Sequence, residues 1–183
     1  MRRDPVNPVF SECKVVFSNE SGDSLTFQPL HYLHFNDDED SPSSRLLRVD
    51  CELRRYERLI DVAADYFYLQ SFIALRDYLA RIHWLRNGET LDLRTEEDVL
   101  AMAFTRQKSI VSVSGRMPDD GYSKMMNQDY EKYLESHIDT QLIFRFYYPL
   151  PKVSEIVKQM NSILDVVDRL KELKSGNSES NSD

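Results

Sequence analysis

The most constraining stretch of this sequence is residues 138–148. There Ile138, Thr140, Leu142, Phe144, Phe146 and Tyr148 alternate with Asp139, Gln141 and Arg145. Successive side chains of a strand point to opposite faces, so this run reads as a strand with one buried and one wet face. A helix follows at once. Pro151 suits a first helical turn, where its missing N–H goes unused. Val153, Ile156, Val157, Met160, Ile163, Leu164 and Val167 then recur at helical spacing, a stripe that extends toward Leu170. Basic residues near 171–174 suit the helix C-terminus. Residues 175–183 read as a disordered polar tail.

The same two periods recur upstream. Leu47, Val49, Cys51 and Leu53 alternate with Arg48, Asp50, Glu52 and Arg54, another half-buried strand. Parity then reverses, because Tyr56, Ile60, Val62 and Ala64 become the apolar set. A reversal requires a turn or bulge near 54–58, and without a glycine there a bulge or loose turn is expected. Tyr68, Phe72, Leu75, Leu79 and Ile82 define a first helix, closed by Asn87-Gly88. Short β-prone runs occupy 13–17, 25–35, 89–94, 98–106 and 110–114, with Pro29 breaking or edging the second of them. Trp84 reads as core or subdomain packing, with an exposed anchor as the alternative. Residues 1–12 read as an extended N-terminal arm, 36–44 as an exposed acidic loop, and 117–136 as an irregular insertion that can hold a short helix near 129–135. The order strands, helix, strands, helix predicts one α+β domain over 13–174. It would be an antiparallel sheet with two amphipathic helices packed on one face. No internal repeat is evident.

The 183 residues suffice for a core without disulfides or metals. Two cysteines, Cys13 and Cys51, read as buried thiols in a reducing compartment. No run approaches the ~18 apolar residues of a membrane span. The opening Met1-Arg2-Arg3-Asp4-Pro5 leads into no apolar stretch, so no secretory leader is expected and the reading is cytoplasmic. A formal charge of −8 argues against nucleic acid as partner and favours association with a basic protein.

Catalytic signatures are absent. Five glycines cannot supply a phosphate loop, and no Cys-x-x-Cys occurs. His31 and His34 stand three apart beside acids, but on a strand they face opposite ways, so neither a metal nor a cofactor is expected. His83 reads as a residue flanking a helix stripe rather than a base. Two stretches suit protein binding better. One is the acidic run Asp37, Asp38, Glu39 and Asp40. The other is 117–136, with Tyr122, Met125, Met126, Tyr130 and Tyr133 among Asp119, Asp120, Asp129 and Glu131, and with Met117 at its start. Tyr and Met favour interface cores, and surrounding acids complement a basic partner. The same Met and Tyr equally suit covering one end of the core.

An N-terminal hairpin, LLRVDCEL, SFIALRDYLARI, NGETLDL, VLAMAF with IVSVSG, TQLIFRFYY and LPKVSEIVKQMNSIL follow one another along the chain. This layout resembles the WapI-type immunity proteins of bacterial polymorphic toxin systems. The resemblance lies in element order and apolar spacing over residues 13–164. It implies a cytosolic antidote that binds a toxic domain, such as a nuclease with a basic groove, and blocks it stoichiometrically. It assigns no residue a role. The rival expectation is a structural or accessory subunit that associates through the 153–167 stripe or the Met/Tyr segment. An enzyme with dispersed acids is the third.

Overall fold

The structure is a computed structural model that describes residues 7–34, 45–95, 100–118 and 141–179. The first four strands are β1 (Val15–Ser18), β2 (Ser24–His34), β3 (Arg45–Arg55) and β4 (Arg58–Tyr68), and α1 (Leu69–Ala80) follows them. The order then repeats with β5 (Thr90–Arg94), β6 (Ala101–Gln107), β7 (Ile110–Pro118), β8 (Gln141–Pro149) and α2 (Val153–Glu179). Each set of four pairs antiparallel in sequence order, β1-β2-β3-β4 and β5-β6-β7-β8. The α+β class and the antiparallel pairing are as expected, but the strands divide between two sheets. The chain is a four-stranded meander plus helix, built twice from sequences that show no repeat.

Both sheets and both helices feed one hydrophobic cluster. Phe17 of β1 is its hinge point. Its ring lies 5.6 Å from Phe104 of β6 and 5.4 Å from Tyr148 of β8, and 5.9 Å from Phe27 within its own sheet. α1 packs against β3, β4 and β5, and α2 packs against β1 and α1. Arg76 of α1 donates to Asn161 Oδ1 of α2 at 2.9 Å. Gln159 of α2 accepts from the Val16 N–H at 2.9 Å, so the helix satisfies a donor on the edge strand β1.

Two bulges set which side chains face the core. Pro29 pairs with Val49 but His31 pairs with Arg48, leaving Leu30 as the extra residue. β2 therefore stays continuous through Pro29, which lies beyond the stretch paired to β1 and loses no bond on that side. In β3–β4, Arg55 pairs with Arg58 across a two-residue turn, while Leu53 pairs with Asp61 rather than Ile60. The extra residue Ile60 turns Asp61, Ala63, Asp65 and Phe67 inward and the expected set Ile60, Val62 and Ala64 outward. Phe67 gains the core and an edge-on contact with Phe27 at 5.7 Å. The parity reversal expected from the sequence is thus undone by one inserted residue.

Other boundaries also differ from expectation. Pro8–Phe10 is a 3-10 turn rather than extended arm, and Phe10 is fully buried. Gln28 holds this segment by donating to the carbonyls of Phe10 and Cys13 at 3.0 and 2.7 Å. α1 ends at Ala80, not at Asn87-Gly88; Gly88 instead uses its positive φ in the turn before β5. β7 continues past Ser114 to Pro118. α2 runs to Glu179, past the point where the polar tail was expected to start. Its stripe of Val153, Ile156, Met160, Ile163 and Val167 is buried in the core.

Candidate functional site

The thirteen residues singled out as contacts lie outside the described residues. These are Asp37, Asp38, Glu39, Asp40, Asp119, Asp120, Tyr122, Met125, Met126, Asp129, Tyr130, Glu131 and Tyr133. The strands that flank them are described, and they locate the ends of each segment. The β2–β3 connection departs from His34 and returns at Arg45. The β5–β6 and β7–β8 connections both depart from the Arg94, Ala101 and Pro118 end of the second sheet. Asp65, near the same end of the first sheet, accepts from Thr95 directly after β5. At the opposite end, Asn19 in the β1–β2 turn donates to Tyr147 O at 3.4 Å. The three connections therefore start and finish at one end of the molecule, and the tight turns 19–23, 56–57 and 108–109 lie at the other.

The buried acids are structural. Asp65 is 1% exposed and accepts from the Tyr66 N–H at 2.6 Å as well as from Thr95. A hydroxyl has one proton, so with that proton on Asp65, Thr95 Oγ1 acts as acceptor for the Leu100 N–H at 3.1 Å. The Thr95 N–H donates in turn to Leu100 O at 3.2 Å. This arrangement closes the ends of the 96–99 connection and ties the two sheets together. Asp61 accepts from the Val62 N–H at 2.8 Å.

Neither thiol is poised as a nucleophile. Burial pushes the Cys51 thiol up, with Asp50 and Asp61 adding to the effect. Burial also raises Cys13, which Arg169 partly offsets; Cys13 is half-buried rather than buried as expected. Both thiols are free. A raised thiol pKa disfavours the thiolate that nucleophilic chemistry needs. His34 stacks near Tyr32, with ring centroids 6.4 Å apart. Among the described residues, no three His, Cys, Asp or Glu side chains converge to hold a metal. No described helix is long and apolar enough to cross a membrane.

Two surfaces went unread in the sequence. The first is the tip of the β3–β4 hairpin. Tyr56 and Glu57 both have positive φ, 50° and 65°, held by Glu57 N–H to Gly22 O at 2.8 Å and Tyr56 N–H to Asp23 Oδ1 at 3.2 Å. Tyr56, Leu59 and Ile60 are exposed there. The second is the outer face of the second sheet, a concavity of about 720 Å³. Register places Arg94, Ala101, Arg116 and Ile143 in one row across the strands. Asp92, Ala103, Ser114 and Arg145 form the next row. The Ala and Ser positions are legible as small residues on a strand's polar side, but their alignment across four strands is not. Gly115 belongs to the tight packing beneath, since a Cβ there would come within 2.6 Å of Ala101 O. Met117, read as part of the contact segment, is fully buried, and Trp84, read as core or subdomain packing, is 88% exposed.

Compared with family models, curated proteins and solved structures, the chain matches none.

Proposed function

We propose that the protein is a non-enzymatic binding protein that neutralises a basic partner domain by stoichiometric occlusion, as the resemblance to immunity proteins implies. The carrying observation is topological. The three connections that start and finish at one end of the fold concentrate the negative charge of the chain. Residues 37–40 are all acidic, 96–98 are Glu, Glu and Asp, and 119–140 carries Asp119, Asp120, Asp129, Glu131, Glu135 and Asp139 against Lys124 and Lys132. Acidic connections of this kind steer a basic partner into contact and discriminate against acidic ones. A buried Cys51, a half-buried Cys13 with a raised pKa and internally bonded carboxylates fit a role without chemistry. A nuclease domain with a basic groove is the partner class this charge suits.

Capture of partners from native cytosol at low salt, with mass spectrometry and a salt titration, tests the proposal. The expected result is one basic protein, bound one to one, released as salt rises. Charge reversal at Asp37, Asp38, Glu39 and Asp40, or at Asp119, Asp120, Asp129 and Glu131, should weaken it at least about tenfold. Undiminished binding after both reversals would overturn the acidic contact. Recovery of the chain alone or of a large complex would favour the accessory-subunit reading, for which Trp84 and the Tyr56, Leu59 and Ile60 cluster are among the exposed apolar contacts of the described residues.

A further inference from the structure

We infer that the outer face of the second sheet is a docking surface for an acidic α-helix of a partner protein. The inference does not rest on the antidote reading, because this face carries charge of the opposite sign to the 37–40 and 119–140 segments. The floor is formed by the small outward side chains Ala101, Ala103 and Ser114 of the two central strands, with Arg116 beside them. Long side chains rise on the outer strands and at Arg116 of β7. Thr90, Asp92 and Arg94 stand on β5, and Ile143, Arg145 and Tyr147 on β8. The result is a trough that runs along the strands.

The width of the trough selects a helix. From β5 to β8 are three strand spacings, about 14 Å, and a helix with its side chains measures about 10–12 Å across. A helix also satisfies its own backbone. An extended segment lying on a sheet face, rather than along an edge, would leave its N–H and C=O groups without sheet partners. The charge selects acid. Arg94 and Arg145 are exposed on opposite rims, Arg116 adjoins them on β7, and Asp92 is the one acid among the outward residues of these strands. Neither Arg94 nor Arg145 has an ion-pair partner among the described residues. Ile143 at 82% exposure and Tyr147 at 47% offer apolar area on one wall. The occupant is therefore a helix with small or apolar residues downward and carboxylates along both flanks. Polynucleotide is disfavoured by the −8 charge of the chain.

The test uses the full chain and a fluorescent amphipathic peptide of about 15–18 residues, with an Ala/Leu stripe and Glu flanks. A Lys-flanked twin serves as comparison. Anisotropy should report binding of the Glu peptide alone, weakening as salt rises, and amide shifts should fall on residues 101–116. Arg94→Glu with Arg145→Glu should weaken binding at least about tenfold. Ala103→Phe, which fills the floor from the solvent side, should do the same without altering the urea midpoint. Arg94→Gln with Arg145→Gln is the milder pair if charge reversal impairs folding. Equal binding of the two peptides, shifts confined to other elements, or no binding at millimolar peptide would overturn the proposal. So would occupation of these residues by an oligonucleotide or by a second copy of the chain.

Discussion

Tyr148 couples the second sheet to the start of α2. It is 2% exposed, and its hydroxyl donates to Lys152 O at 3.0 Å. Burial, with Glu155 adding to it, pushes the phenol up to about 12 from an ordinary 10.0. Below pH 10 the phenol is protonated in folded and unfolded chains alike, and its stabilising contribution is whole. Between 10 and 12 the unfolded chain gives up the proton first, so stability falls as pH rises. Burial raises Tyr32 and Tyr78 in the same direction. Tyr148→Phe should cost about 1 kcal/mol at neutral pH through the lost hydrogen bond. It should also flatten the decline above pH 10. Urea midpoints measured from pH 7 to 11.5 check both effects, and an unchanged alkaline slope would assign the decline to other groups.

At the scale of elements, the β3–β4 hairpin is built against its local preferences. Two-residue hairpin turns favour Asn-Gly because both positions need positive φ, and Tyr56-Glu57 adopts that backbone without glycine. A left-handed conformation costs a non-glycine residue roughly 1–2 kcal/mol. The bonds to Gly22 O and Asp23 use backbone donors that any pair of residues supplies except proline. Replacing Tyr56-Glu57 with Asn-Gly should therefore stabilise the protein by about 1–2 kcal/mol. Chemical denaturation measures this, and no gain would mean that the Tyr56 side chain, beside the Arg55 guanidinium 5.5 Å from its ring, repays the strain. The type of each long element was legible in the sequence, because 45–53, 138–148 and 153–167 carry clean periods of two and 3.6. The face of β4 was not. Its even positions Ile60, Val62 and Ala64 are the more apolar set, whereas the bulge buries two carboxylates with Phe67.

For the whole molecule, the decisive feature is that two sheets share one core. Phe17 touches Phe27, Phe104 and Tyr148, so its loss removes contacts within and between sheets. Phe17→Ala should cost about 3–5 kcal/mol and leave a single cooperative transition, because the two meanders are stabilised jointly. Two resolved calorimetric transitions would show instead that each meander and its helix fold as a separate unit. Of the functional surfaces, the acidic runs were legible as composition, but their origin at one end of the fold needed strand direction and pairing. The arginine-rimmed trough was invisible, since Arg94, Arg116 and Arg145 lie far apart in sequence and meet through register alone.

The sequence by itself determined what each segment becomes. Alternation or helical recurrence of apolar residues dictates strand or helix, and the charge of each connection is written in its residues. Only the tertiary structure decided how the strands divide between two sheets, and which side of each faces inward. The side-chain period of a strand is two, so a single inserted residue reverses every position beyond it. Whether that reversal is favourable depends on partners remote in the chain. Phe67 finds Phe27, and Asp65 finds Thr95, contacts that no local pattern in residues 58–68 could announce.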